Sequence, residues 1–223
     1  MPIVQSAGAV TLLGGGALFP QDLECALERA PVLVAADGGA EHARRAGAMP
    51  RAVIGDMDSL GDCAESFADR IHEIAEQDST DFDKALRNID APLVLAIGFT
   101  GGRIDHELAV YHVLAARPDR ACLVIGAQSL VCHCPPELAV DLPPGTAFSL
   151  FPMAPVRIAS EGLRWPTAGL DFAPDRRVGT SNEATGPVRL RAEAPGMLAI
   201  APRAALDAVI AGLRAAPRCW PAR

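Results

Sequence analysis

The feature that most constrains the fold is a repeated rhythm in the first 130 residues. A short apolar run is followed by a turn carrying Gly or Asp, and then by a pattern with helical periodicity. The runs lie at 9–13, 32–36, 52–54, 93–97 and 122–125. They lack polar alternation, which is typical of strands covered on both faces. The rhythm predicts a parallel sheet with flanking helices near 20–30, 39–46, 80–89 and 104–116.

The pattern changes after about residue 135, where Pro and Gly become frequent. Short apolar runs at 147–150, 188–190 and 197–200 are separated by turns, which predicts a small antiparallel β-sandwich. Residues 204–214 form a candidate closing helix. We therefore predict an α/β fold: an N-terminal three-layer α/β domain with a mostly parallel sheet over residues 1–134, and a C-terminal antiparallel β-sandwich over residues 135–223.

Charge and cysteine usage narrow the possible partners and the compartment. The formal net charge is −7 and no local basic stripe is present, so we expect no nucleic-acid partner. Six cysteines are scattered, and only Cys132 and Cys134 are close, which makes a zinc site a weak interpretation. With no basic leader and no apolar stretch of about 18 residues, we expect a cytoplasmic protein without a membrane partner.

Two glycine-bearing turns follow the first two predicted strands. The first, Gly14-Gly15-Gly16, would let a backbone approach a phosphate, although taken alone it favours a plain turn. The second, Asp37-Gly38-Gly39, places a carboxylate at the end of a buried strand. Asp37 either contacts a ligand or caps the following helix, and both interpretations stay open here.

Paired carboxylates follow the third predicted strand, in Gly55-Asp56-Met57-Asp58-Ser59. Asp56 and Asp58 can point into one crevice, where a hard cation would relieve their mutual repulsion. Taken alone, the motif slightly favours the alternative of a solvated turn, because Asp and Ser are common turn residues.

A second acidic segment runs from Asp78 to Lys84. Phe82, Leu86 and Ile89 recur at helical spacing, and Ser79 or Thr80 would cap this helix. Asp81 flanks the apolar stripe and Lys84 follows one turn later on the same side. A capped helix with surface charges is possible, but the density of Asp78, Asp81 and Asp83 favours metal binding over it.

The segment 100–107 begins another helix after the strand at 93–97. Gly101 and Gly102 free the backbone, and Arg103 and Asp105 lie at the helix N-terminus, where anions are favoured. We interpret His106 as structural. The rest of this helix is apolar nearly all round, which predicts that it is buried.

These segments all fall at one edge of the predicted sheet. They bring together several carboxylates, one Lys and one Arg, which suits phosphoryl transfer because that chemistry needs mainly positioning and charge neutralisation. The Ser–His–Asp or Cys–His arrangements of acyl transfer are missing from them.

In order and spacing, these motifs resemble the signature segments of thiamine pyrophosphokinases, across residues 37–106. The resemblance implies an α/β domain followed by a β-sandwich, and transfer of pyrophosphate from ATP to thiamine with release of AMP. It also implies a homodimer with the site at the subunit interface. Met57 stands where the family more often has an aromatic residue, and Asp83 occupies a variable position.

The resemblance assigns roles to individual residues. Asp56, Asp58, Asp78 and Asp81 would bind Mg²⁺. The ATP-binding residues would be Gly15, Gly16, Asp37, Gly38, Lys84 and Arg103. Asp81, Lys84, Arg103 and Asp105 would be catalytic, with Asp105 near the thiamine hydroxyl.

In the C-terminal part, Trp165, Ser181 and Asn182 resemble the family's thiamine-binding positions. Ser181 and Asn182 would either hydrogen-bond the ligand or simply make a turn. An indole face attracts a flat cation, but a Trp in a sandwich is more often a core residue. Three other functions remain: a diphosphokinase for another hydroxymethyl heterocycle such as a pterin, a non-catalytic Mg-ATP-binding protein, and a metal-dependent phosphohydrolase.

Overall fold

The computed structural model describes residues 1–60, 63–217 and 219–222. The chain divides into two compact units. The first unit comprises Met1–Val113 with Val124–Ala127, and the second comprises Leu114–Leu123 with Gln128–Arg223. The functional division after residue 134 stays a prediction.

The first unit is built on a parallel sheet. Its strands are β1 (Val4–Gln5), β2 (Val10–Leu13), β3 (Val32–Ala36), β4 (Ala52–Gly55), β5 (Ile71–Glu73), β6 (Ile89–Asp90), β7 (Val94–Ile97) and the second half of β8 (Cys122–Ile125). The order β7-β2-β3-β4-β5 is parallel at every described pairing, β8 is next to β7, and β1 pairs with β6 separately. The order in which successive strands are added reverses at β2: β3, β4 and β5 follow on one side of it, and β7 lies on the other. Such a switch point, here between β2 and β7, is where open α/β sheets bind ligands.

Five of these strands match the predicted apolar runs, and the buried residues of β2, β4, β7 and β8 confirm that both faces are covered. Strands β1, β5 and β6 were missed. Each has only two or three residues, so neither an apolar run nor alternation could be recognised in them.

The predicted helices of the first unit are confirmed within two residues. They are α1 (Asp22–Arg29), α2 (Gly39–Arg45), α4 (Asp81–Arg87) and α5 (Ile104–Ala116), the last three residues of which fall in the second unit. The four-residue helix α3 (Cys63–Ser66) was not predicted. Thr80 caps α4, because its hydroxyl accepts a hydrogen bond from the Asp83 N–H at 3.3 Å. Phe82 and Leu86 are buried as predicted, whereas buried Ile89 lies in β6 beyond the helix end.

The prediction that α5 is buried is only partly right. Val110, Val113 and Leu114 are buried, but Ile104 is 68% exposed and Leu108 is 58% exposed. Most of α5 is apolar on all sides, so no polar stripe in its sequence marks the face that is open to solvent.

The second unit is antiparallel at every described pairing. Its strands are β9 (Ser129–His133), β10 (Glu137–Val140), β11 (Ala147–Pro152), β12 (Val156–Leu163), β13 (Asp171–Phe172), β14 (Gly179–Ala192) and β15 (Met197–Pro202), followed by the predicted helix α6 (Leu206–Ala215). The first part of β14 pairs with β11, which continues to β15 and β9. The remainder of β14 pairs with β10 and β12. One long strand thus serves both halves of the predicted sandwich.

Along β12 the side chains alternate with period two. Val156, Ile158 and Ser160 are buried, and the residues between them are exposed. Among the described residues, no helix is both long and apolar enough to cross a membrane.

Candidate active site

Backbone segments pack tightly at the carboxyl ends of β2 and β7, on either side of the switch point. The Gly16 N–H donates to the Gly98 carbonyl at 2.7 Å. A Cβ on Gly16 would lie 2.7 Å from that oxygen, so only glycine fits. Gly15 is exposed and lies beside Gly38. The packing explains why the loop contains glycine, and ATP binding by Gly15, Gly16 and Gly38 stays a prediction.

Three carboxylates meet at the ends of β3 and β4. Oxygens of Asp37, Asp56 and Asp58 lie within 4.8 Å of one another, and we call this group the carboxylate cluster. Asp81 is adjacent, since its Oδ1 accepts a hydrogen bond from the Asp56 N–H at 3.3 Å. Sequence reasoning placed Asp56, Asp58 and Asp81 together but grouped Asp37 with ATP. Asp78 is exposed and lies outside the cluster as described.

The backbone at the cluster adopts conformations that side chains usually avoid. Asp37 has φ 37° and Met57, between Asp56 and Asp58, has φ 69°. Left-handed conformations of non-glycine residues concentrate at functional sites, where the surrounding structure enforces them. Gly55 permits the arrangement, because a Cβ there would lie 2.7 Å from the Asp37 Cβ.

Asp37 is buried, and its Oδ1 has no hydrogen-bond partner within the described structure. Burial raises the pKa of Asp37, a hydrogen bond from Ser59 partly opposes this, and the charges of Asp81, Asp58 and Asp56 raise it further. The alternative that Asp37 caps α2 is wrong, because no side chain caps that helix. An unsatisfied buried carboxylate oxygen within an all-oxygen donor set fits a hard divalent cation.

Lys84 supplies a fixed positive charge beside the cluster. Its side chain is 1% exposed, and Nζ donates to Asp56 Oδ2 at 2.9 Å and to Asp81 Oδ1 at 3.3 Å. Burial alone would lower the pKa of Lys84, but the hydrogen bond to Asp56 and the charge of Asp81 raise it. The hydrogen bond from Lys84 in turn lowers the pKa of Asp56. The predicted proximity of Asp81 and Lys84 is confirmed.

Three residues near the cluster were missed from the sequence: Glu76, Gln77 and Arg87. Gln77 Nε2 donates to Asp56 Oδ2 at 3.3 Å. Hydrogen bonds from the Ser79 hydroxyl and from Arg87 lower the pKa of Glu76 to about 2. The partners are separated by up to 21 positions in the sequence, and no periodic pattern connects them.

Arg103 and Asp105 lie exposed at the start of α5 and bond to each other. Arg103 Nε donates to Asp105 Oδ1 at 3.1 Å and Nη2 donates to Oδ2 at 2.5 Å. The hydrogen bond raises the pKa of Arg103 and lowers that of Asp105. The two side chains pair with each other, and the described hydrogen bonds do not join them to the carboxylate cluster. Contact with phosphate or the acceptor stays a prediction.

In the second unit, Trp165 is 54% exposed, so the interpretation of this residue as core is wrong. Buried Asn182 holds its backbone: Asn182 Oδ1 accepts from the Trp165 N–H at 3.1 Å, and Nδ2 donates to the Trp165 carbonyl at 2.8 Å. The Arg164 guanidinium lies 5.1 Å from the indole centroid. We call Arg164, Trp165, Ser181 and Asn182 the Trp165 surface.

Ser181 is a further strained residue, with φ 62°. Its N–H donates to the Ser149 hydroxyl at 3.0 Å. Asn182, through its two bonds to the Trp165 backbone, has a positioning role that the sequence did not reveal. Ligand contact by Ser181 and Asn182 stays a prediction.

Comparisons with known proteins agree with this architecture. The family model described as thiamin pyrophosphokinase, catalytic domain, matches residues 23–125. No curated protein matches the sequence significantly.

Solved structures extend the likeness to most of the chain. The thiamin pyrophosphokinase of Candida albicans is 16% identical with a TM-score of 0.72, covering 89% of this chain and 92% of that one. The enzyme of Geobacillus thermodenitrificans is 24% identical with a TM-score of 0.70, covering 87% and 96%. That of Bacillus subtilis is 21% identical with a TM-score of 0.70, covering 87% and 98%. At these identities the structures show the shared fold.

The fold and the carboxylate cluster define an α/β catalytic domain joined to an antiparallel sandwich. Over residues 23–125 the chain is similar to the catalytic domain of the thiamin pyrophosphokinases.

Proposed function

We propose that the protein catalyses Mg²⁺-dependent transfer of pyrophosphate from ATP to the hydroxyl of thiamine, giving thiamine diphosphate and AMP. The observation that carries the proposal is the carboxylate cluster at the end of a parallel sheet, with an unsatisfied Asp37 oxygen and buried Lys84. Similarity to the thiamin pyrophosphokinase catalytic domain over residues 23–125 supports this choice of acceptor and of transferred group.

The carboxylates would hold the metal, with Asp56 and Asp58 joined by Asp81, Asp78 and, as the geometry adds, Asp37. Bound Mg²⁺ would neutralise phosphate charge and make the β-phosphorus more electrophilic. Lys84 and the Asp56 and Asp81 oxygens that fix it keep one cation in place before substrate binds. Such preorganised charge is the main protein contribution to phosphoryl transfer.

The remaining roles complete the reaction. Gly15, Gly16 and Gly38 would line the nucleotide site, and Arg103 would contact ATP phosphates. The thiamine hydroxyl oxygen forms a bond to the β-phosphorus while the α–β bridging bond breaks. AMP leaves with that electron pair, and the hydroxyl proton is lost close to Asp105.

Trp165 would stack on the thiamine aminopyrimidine, because its exposed face can accept a flat ring of a cationic ligand. Ser181 and Asn182 would border the same ligand. The Arg164 guanidinium, 5.1 Å from the indole centroid, supports this role, because it is itself a planar cation beside the ring.

We include a homodimer, with the site at the subunit interface, in the proposal. The open apolar face of α5, with Ile104 and Leu108, supports it, because large exposed apolar residues on a single helix are suited to burial by a second copy. We place the reaction in the cytoplasm, which free thiols such as Cys122, Cys132 and Cys134 support.

The test compares three acceptors in the presence of Mg-ATP: thiamine, a hydroxymethylpterin and water alone. The proposal predicts AMP release that depends on thiamine. Release with the pterin only would identify another diphosphokinase. Acceptor-independent phosphate release would indicate a phosphohydrolase, and ATP binding without any product would indicate a nucleotide-binding protein.

A further inference from the structure

The Glu76 carboxylate accepts an unusual number of hydrogen bonds for a residue in a surface turn. Oε2 accepts from the Asp78 N–H at 2.8 Å and from the Ser79 N–H at 3.1 Å. Oε1 accepts from the Ser79 hydroxyl and from Arg87 Nη2, the latter at 2.8 Å. Both oxygens are therefore engaged, which suits a residue that shapes the backbone and not one that binds a ligand.

Arg87 connects this turn to helix α4. Its Nη1 donates to Asp83 Oδ2 and to the Ser79 hydroxyl oxygen, each at 3.2 Å. Because Arg87 is in the last turn of α4 and Thr80 caps the first, both ends of the helix are joined to the residues around Ser79. Glu76 and Arg87 thus form a brace across the turn 77–80.

The braced turn reaches the carboxylate cluster from two directions. Gln77, next to Glu76, donates to Asp56 Oδ2, the same oxygen that accepts from Lys84. At the other end of the turn, Asp81 Oδ1 accepts from the Asp56 N–H. Displacing the turn would therefore move the groups that orient Asp56 and Asp81.

We propose that Glu76, held by Arg87, is a positioning residue that sets the geometry of the metal site through the turn 77–80. It rests on the proposed function for the identity of the metal-dependent reaction. Removing a group that orients a carboxylate ligand without touching the metal commonly lowers metal affinity or activity by roughly 10- to 100-fold.

The test uses Glu76→Gln, which keeps the side-chain length but replaces one acceptor oxygen by a donor. Glu73→Gln is the matched control, because exposed Glu73 lies in β5 and takes no part in this network within the described structure. Mn²⁺ binding is measured by electron paramagnetic resonance without nucleotide. We expect Glu76→Gln to weaken Mn²⁺ binding about tenfold, with the control unchanged.

A kinetic measurement separates positioning from general loss of structure. The Mg²⁺ concentration for half-maximal activity should rise about tenfold in Glu76→Gln, while the KM for thiamine stays within about twofold. Ser79→Ala, which removes one donor to Glu76 at little steric cost, should shift Mn²⁺ binding in the same direction by less. It decides the matter if Glu76→Gln does not fold.

Wild-type Mn²⁺ affinity in folded Glu76→Gln, or in Ser79→Ala should the first variant not fold, would overturn the inference. A rise in the KM for thiamine as large as the rise in the half-maximal Mg²⁺ concentration would also overturn the inference, because a change confined to the metal site would not weaken thiamine binding to the same extent. If the wild-type protein makes no thiamine diphosphate, the proposed function fails, yet the Mn²⁺ comparison still gives its own answer.

Discussion

The carboxylate cluster and the Trp165 surface are built on opposite physical principles. At the cluster, buried Asp37 and Lys84 lie among more exposed carboxylates: Lys84 is held by Asp56 and Asp81, and Asp37 keeps an unsatisfied oxygen. At the Trp165 surface, a half-exposed ring is carried on a backbone that Asn182 fixes. A change of charge in the carboxylate cluster should alter the pKa values and the metal affinity of its other members. At the Trp165 surface, the indole side chain can be removed without loss of the fold. Chemistry is thus expected to depend on the first, and choice of acceptor on the second.

The largest effect is expected for Asp81→Asn. It removes a charge next to the cluster while Asp56 still pairs with Lys84, so the fold should persist. We expect turnover to fall about 1000-fold, which corresponds to about 4 kcal/mol of transition-state stabilisation. Steady-state rates with an unfolding curve as control measure this. Near-wild-type turnover would remove Asp81 from the metal site.

Lys84→Met tests whether the Lys84 ammonium assists phosphate transfer and whether it competes with the metal for Asp56 and Asp81. Turnover should fall about 100-fold, because a preorganised cation near the phosphates is lost. Nucleotide-free Mn²⁺ binding should become tighter, since the ammonium no longer competes for Asp56 and Asp81. Titration calorimetry of the variant measures the affinity. Weaker binding would show that Lys84 supports the metal site and does not compete with it.

Trp165→Ala tests the other region. Loss of a stacked ring usually costs roughly 1–3 kcal/mol, so the KM for thiamine should rise about tenfold. The unfolding free energy should change by less than about 0.5 kcal/mol, because the ring is largely exposed. Trp165→Phe should recover part of the affinity. An unchanged KM would place thiamine elsewhere.

The smallest effect concerns Asp37 and pH. Its pKa is raised above 3.8 in the fold, so its stabilising contribution exists at acid pH and is lost as pH rises through the folded pKa. At pH 7 its ionised form therefore destabilises the metal-free protein. Asp37→Asn should raise the Tm at pH 7 by a few degrees, and this gain should vanish below about pH 4.

Mg²⁺ provides the control for that prediction. It should raise the Tm of the wild-type protein more than that of Asp37→Asn, because a ligand stabilises the state that binds it. Asp56, whose pKa is lowered by Lys84, has the opposite sign: its contribution is present at neutral pH and is lost as acid protonates it. A lower Tm for metal-free Asp37→Asn at pH 7 would contradict the account.

The sequence predicted the fold well where strands were long and covered on both faces, as in β2, β3, β4 and β7. It also placed Asp56, Asp58, Asp81 and Lys84 together, because adjacent parallel strands end at one edge. Prediction was weaker where tertiary contacts decide. Asp37 became a member of the cluster through a left-handed backbone and the close approach at Gly55, neither of which residue spacing reveals.

The same reason explains what was missed in the second unit and around Glu76. Ligand contact by Asn182 stays a prediction, whereas its contact with the Trp165 backbone was not foreseen, because it depends on the pairing of distant strands. The brace between Glu76 and Arg87 forms only when the turn between them is folded. Within the acidic run at 76–83, the sequence alone does not distinguish Glu76, which positions the turn, from the aspartates proposed to bind metal. Uniformly apolar α5 similarly concealed its open face.

The most direct test of the central claim is phosphorus NMR of the protein incubated with Mg-ATP and thiamine. Transfer of pyrophosphate in one step predicts two coupled resonances of thiamine diphosphate and an equal amount of AMP, without ADP or thiamine monophosphate at any time. Appearance of ADP with thiamine monophosphate, or of free phosphate regardless of thiamine, would contradict it.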